Sequence, residues 1–146
     1  MTSSNQTLAD PAAARKPAVP TPPAHILVAD DEAGIRRLVA RTLERAGFTV
    51  TCVADGSAAL ARIDAEWFDL LVTDLIMPET EGLETIMRLR QTHPDLPIIA
   101  ISGGNPRGPG DFLAMAQILG AKAILRKPFE CDDLLATVQR ILASGA

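Results

Sequence analysis

Residues 26–47 read ILVADDEAGIRRLVARTLERAG, and this stretch decides the fold. The apolar run Ile26 to Ala29 stops abruptly at Asp30 and Asp31. A run that short, with no polar alternation, is the pattern of a strand buried on both faces. Behind the acids, Ile35, Leu38, Val39, Thr42, Leu43 and Ala46 recur at the spacing of one helical face, and Gly47 stops the helix. The rest of the chain repeats this strand–helix unit. Phe48 to Val53 reads as a strand, and Asp55 as the N-cap of a helix carrying Ala58, Ala59, Leu60 and Ile63. Leu70 to Val72 forms a third strand ending at Thr73 and Asp74, and a turn at Met77–Pro78 leads to a helix with Leu83, Ile86 and Met87 on one side. Ile98 to Ile101 precedes a Gly- and Pro-dense loop over 103–110, a helix over 112–119 and Gly120. Ala123 to Leu125 is the fifth strand, and Leu134, Leu135, Val138, Ile141 and Leu142 mark the last helix. Five β-α units in strict alternation predict an α/β, doubly wound, five-stranded parallel sheet covered on both faces.

Composition narrows the function classes. The 146 residues suit one domain with its own core. With 14 Lys+Arg against 18 Asp+Glu, the net charge of −4 argues against a nucleic-acid footprint. The only cysteines, Cys52 and Cys131, form no CxxC or Cys/His pattern, so neither a disulfide framework nor a zinc site is indicated. No run approaches the ~20 apolar residues needed for membrane insertion, and the start lacks a signal peptide's pattern. The expectation is a cytoplasmic protein. Residues 1–24, with Pro11, Pro17, Pro20, Pro22 and Pro23 and few sizeable apolar side chains, read as a disordered arm. Residues 25–146 then make up the folded domain.

Sites in open α/β sheets lie beyond the carboxyl ends of the strands. The first strand ends in Asp30 and Asp31, the third in Asp74, the fourth in Ser102, and the fifth runs into Lys127. Any one such Asp could be no more than a helix N-cap; four coincident strand ends are harder to dismiss. Three carboxylates brought together repel unless a cation lies between them. Oxygen-only ligands suit a hard ion, Mg²⁺ before Ca²⁺. A carboxylate can also attack phosphorus and form an aspartyl-phosphate, and phosphoryl transfer demands charge neutralisation and alignment more than acid–base power.

The pieces ILVADDE (26–32), LLVTDLIMPETEGLE (70–84), IIAISGG (98–104) and LGAKAILRKPF (119–129) together resemble the receiver domain of bacterial two-component response regulators. The resemblance covers about residues 25 to 143. It implies a flavodoxin-like fold with strand order 2-1-3-4-5, which places the first strand beside the third. By position it makes Asp74 the phosphoacceptor, Asp31 a direct Mg²⁺ ligand and Asp30 one acting through water, with the backbone carbonyl of Ile76 completing the protein's share. Ser102 becomes the switch hydroxyl, Lys127 its phosphoryl-binding partner, and the Lys127–Pro128 bond commonly cis. The implied donor is a histidine kinase or histidine phosphotransfer protein. The output is contact with an unknown downstream protein or a phosphorelay step, with no chemistry beyond the domain's own phosphorylation and dephosphorylation.

Several positions depart from the family pattern. The switch-aromatic position holds Ile124, and the chain has no Tyr, so the usual aromatic readout is not expected. Ile76 and Gly104 offer no side chain to position water, which predicts slow self-dephosphorylation. Met115 and Ile118 fall where polar residues are common, and read either as packing under the long loop or as a partner surface. Two other classes compete with the leading reading. An aspartyl-phosphate phosphatase would need an acid–base carboxylate where Ile76 stands. A phosphorylation-independent interaction module with a vestigial site is opposed by the intact set of Asp30, Asp31, Asp74, Ser102 and Lys127. Arg36, Arg37, Arg41 and Arg45 read as a solvated face, and His25 and His93 as incidental.

Overall fold

The computed structural model of the protein describes residues 23–75, 82–103 and 120–144. Within them the chain runs β1 (His25–Ala29), α1 (Ala33–Arg45), β2 (Thr49–Val53), α2 (Gly56–Ala65), β3 (Leu70–Asp74), α3 (Gly82–Thr92), β4 (Ile98–Gly103), β5 (Ala123–Lys127) and α4 (Cys131–Ser144). All strand pairs are parallel, in the order β2-β1-β3-β4-β5. The expected arm, apart from its last two residues, lies outside the described residues. So do Ile76, most of the Gly- and Pro-dense loop, the helix expected over 112–119 with Met115 and Ile118, and the side chain of Leu83.

The apolar strands sort by the two-residue period of a pleated sheet. Leu27, Ala29, Leu71, Ile98 and Ala100 pack on one face under Ala59 and Ile63 of α2 and Ile86 and Leu89 of α3. Ile26, Val28, Leu70, Val72, Ile99 and Ile101 pack on the other under Val39 and Leu43 of α1 and Leu134, Val138 and Ile141 of α4. This explains why the inner strands β1, β3 and β4 carry no polar alternation before their ends: both faces are dry. The edge strands β2 and β5 are partly exposed. Two large apolar residues grouped on the core-facing sides of helices are instead exposed, Leu38 (41%) and Met87 (51%), as is Ala46 at the end of α1. Helical spacing groups residues on one side but leaves the rotation of that side against the sheet open, and Leu89 fills the core position beside Ile86.

Local signals act as their chemistry requires. The Asp55 side chain accepts from the Ala58 amide at 2.8 Å and caps α2. Gly47, at φ +101°, lets the Phe48 N–H return to the Leu43 carbonyl and close α1. At the N-terminal edge of the sheet, the Asp69 carboxylate accepts from the His25 amide (2.8 Å) and from Trp67 Nε1 (3.0 Å). His25 Nε2 lies 2.8 Å from Thr51 Oγ1. His25 is thus a structural link between strands.

Candidate functional site

The carboxyl edge of the sheet is assembled by register. Ala29 pairs with Thr73, so Asp30 and Asp74 stand on adjacent strands one step further along. The Asp30 amide donates to the Val53 carbonyl at 3.2 Å and the Leu75 amide to the Ile101 carbonyl at 2.9 Å, which hold both strand exits in place. On the other side of β3, β4 brings in Ser102, and β5 brings Lys127 opposite Gly103. Crossover connections deliver four chemical groups to one edge with no sequence proximity between them.

At that edge, carboxylate oxygens of Asp30, Asp31 and Asp74 lie within 4.8 Å of one another. Asp30 and Asp74 are buried and Asp31 is exposed. Lys127 Nζ reaches Asp74 Oδ2 at 3.0 Å, Glu32 Oε1 at 2.9 Å and Asp30 Oδ2 at 3.2 Å. The Asp30 Oδ1 atom accepts from the Glu32 amide at 2.9 Å. Asp30 Oδ2, although close to the ammonium, has no hydrogen bond and is shut away from solvent. Ser102 is buried on the neighbouring strand, and the Lys127–Pro128 bond is cis.

The electrostatics are those of a site short of positive charge. Burial pushes the Asp30 carboxyl above its ordinary range, and the Asp74 charge adds to the push. The Glu32 amide and Lys127 oppose it only in part. For Lys127, burial alone would lower the ammonium's pKa, but its bonds to Glu32 and Asp74 and the charge of Asp30 outweigh burial and raise it. One ammonium therefore serves three carboxylates, with the exposed Asp31 close by.

This donor set fits a hard divalent ion. All candidate ligands are oxygens, the three carboxylates are close enough to share one ion, and Asp30 Oδ2 is a buried acceptor that lies 3.2 Å from the Lys127 ammonium without a hydrogen bond. Ile76, whose carbonyl is the fourth expected ligand, lies outside the described residues.

Two residues at the site carry more than their sequence signal suggested. Glu32 was only the third acid in a row, yet it holds Lys127. That acidic run was the one available hint. Arg36, expected on a solvated face, is half-buried, and its Nη1 donates to the Asp30 backbone carbonyl at 2.7 Å. Its place one turn into α1 puts it back over the β1 exit, which helical spacing does not reveal. Ile124 is half-buried against the core face shared by α2 and α3 and lines a groove of about 490 Å³ with Pro128 and Phe129.

Comparisons with known proteins agree with this architecture. The response regulator receiver domain family model matches residues 26–139. The response regulator receiver protein CpdR of Brucella abortus is 36% identical over 125 residues, covering 82% of this chain and 98% of CpdR. The DNA-binding transcriptional regulator NtrC of Rhizobium meliloti is 35% identical over 122 residues, but this chain spans only 24% of NtrC. A CheY-like response regulator receiver domain protein from Methanospirillum hungatei superimposes with a TM-score of 0.78 at 27% identity, covering 84% of this chain and 95% of that one.

Proposed function

The chain belongs to the response regulator receiver family, and from that premise we propose that Asp74 is its phosphoacceptor, working with Mg²⁺ bound at Asp30, Asp31, Asp74 and the Ile76 carbonyl. Receiver domains take phosphoryl groups from histidine kinases, and they are phospho-acceptor signalling modules rather than conventional enzymes. The observation that carries the reading is the convergence of buried Asp74 with two further carboxylates and Lys127 on one sheet edge.

An Asp74 carboxylate oxygen attacks the phosphorus of a phosphohistidine. The new P–O bond forms as the P–N bond to the donor imidazole breaks, and the imidazole leaves with the bonding electrons and takes up a proton. Bound Mg²⁺ supplies neutralisation of phosphoryl oxygen charge. Lys127, already 3.0 Å from Asp74, contributes the second positive charge. Ser102 donates its hydroxyl to a phosphoryl oxygen once one is present.

The donor is a histidine kinase or histidine phosphotransfer protein in the cytoplasm, and the signal passes on by protein contact or phosphorelay. Ile124 supports protein contact, because it touches both the packed core and the groove beside Pro128. Among the described residues no helix is long and apolar enough to cross a membrane. The test is amide NMR with Mg²⁺ before and after beryllofluoride, which mimics a phosphoryl group on a carboxylate. Shifts at Asp74, Ser102 and Lys127 that vanish in Asp74→Ala support the reading. Silence in the presence of Mg²⁺ rejects it in favour of a constitutive interaction module.

A further inference from the structure

At the end of the sheet opposite Asp74, the end of α2, the entry to β3 and the α3–β4 turn enclose a groove of about 240 Å³. Ile63, Trp67, Phe68, Pro94 and Leu96 line it, and Glu66 and Asp95 stand among the residues around it. Trp67 is half-buried and Pro94 exposed, so the groove presents apolar surface outward. Both sides are fixed. Trp67 Nε1 is tied to Asp69, and the Arg90 guanidinium donates to the carbonyls of Pro94 and Leu96. A groove fixed beforehand loses little entropy when it is filled.

The chain enters the fold beside it. Pro23 and Ala24 lead into β1 at His25, whose ring centroid lies 4.3 Å from that of Phe68, a lining residue. The residues just before are RKPAVPTPP, 15–23. Proline presets the polyproline II backbone, which lowers the cost of ordering and suits grooves lined by aromatic side chains. In that conformation residues 17–22 span about 19 Å. Arg15 and Lys16 at their far end are opposite in charge to Glu66 and Asp95. Tethering makes the contact intramolecular, so a weak interaction suffices to populate it.

We propose that the groove between Trp67 and Pro94 is a docking site for residues 17–22 of the same chain, held as a proline-rich strap across the amino edge of the sheet. Trp67 is the only tryptophan, so it reports on the groove directly. The experiment compares full-length protein with a full-length Pro17→Ser, Pro20→Ser, Pro22→Ser variant, using Trp67 emission, acrylamide quenching and amide NMR. The expected result is a red shift and increased quenching in the variant, with amide shifts confined to residues near 66–68 and 93–96. Identical emission, quenching and spectra overturn the proposal. Protection of Trp67 that rises with protein concentration also overturns it, and assigns the groove to a second copy of the chain.

Discussion

β3 is flanked by an aspartate at each end, and the two are treated in opposite ways. At the amino edge both Asp69 oxygens have donors, His25 N–H and Trp67 Nε1. At the carboxyl edge Asp74 is crowded by Asp30 and Asp31, and Glu32 competes for the same ammonium. There Asp30 Oδ2 is buried without a hydrogen bond. A satisfied half-buried carboxylate fastens a fold, whereas a crowded one raises the energy of the resting state until a cation arrives. One sheet thus separates an edge built for stability from an edge built for chemistry.

The sharpest break of this comparison exchanges the two losses. Asp74→Ala is expected to abolish the beryllofluoride response completely, read by amide NMR, while leaving the Trp67 environment unchanged. Asp69→Ala is expected to do the reverse. It strands two donors at the amino edge and costs about 1–3 kcal/mol in urea unfolding, yet the beryllofluoride response persists once the variant is folded. If Asp69→Ala silenced that response in folded protein, the two edges would not be independent.

How much of this was legible in the sequence follows from the range of each signal. β1, β3 and β4 announced themselves because each is a dry run closed by a polar residue, as Ile26 to Asp30 shows. The partly exposed β2 and β5 were legible instead from β-branched residues and from the short apolar run Ala123 to Leu125. Asp55 and Gly47 were readable because capping acts over three or four residues. The recurrence of Asp30, Asp31, Asp74, Ser102 and Lys127 at strand ends pointed to the carboxyl edge, since parallel topology sends every strand end there. The link from His25 to Asp69 spans 44 residues and that from Lys127 to Glu32 spans 95. No local pattern encodes either. Leu38 and Met87 were misplaced for a related reason: the period of a helix is local, but its rotation on the sheet is set by tertiary packing.

A smaller effect separates charge from shape at the carboxyl edge. Asp30→Asn keeps the side-chain outline and removes one buried like charge. In solution free of divalent ions the variant is expected to be more stable than the parent by about 1 kcal/mol. Mg²⁺ should raise the urea midpoint of the parent and leave the variant nearly unmoved, because ligation stabilises only the state that binds. Equal midpoint shifts with Mg²⁺ in both proteins would remove Asp30 from the ligand set.

The smallest expected effect is at Glu32, where two contributions oppose each other. Glu32→Gln loses an ion pair to Lys127, but the glutamate is 60% exposed, so solvent screening leaves that pair at most a few tenths of a kcal/mol. The same change relieves crowding among three acids around one ammonium. The net change in urea stability is therefore expected to stay within about 0.5 kcal/mol of zero. The functional consequence has a definite sign. Without Glu32 the ammonium is shared only by Asp74 and Asp30 and is easier to recruit, so beryllofluoride should saturate the site at lower concentration. A loss of more than about 1 kcal/mol would mean that Glu32, rather than the buried aspartates, is the main anchor of Lys127. The resting site would then be held closed from the solvent side, and phosphorylation would have to pull Lys127 away from an exposed residue instead of drawing on charge already stored beside Asp74.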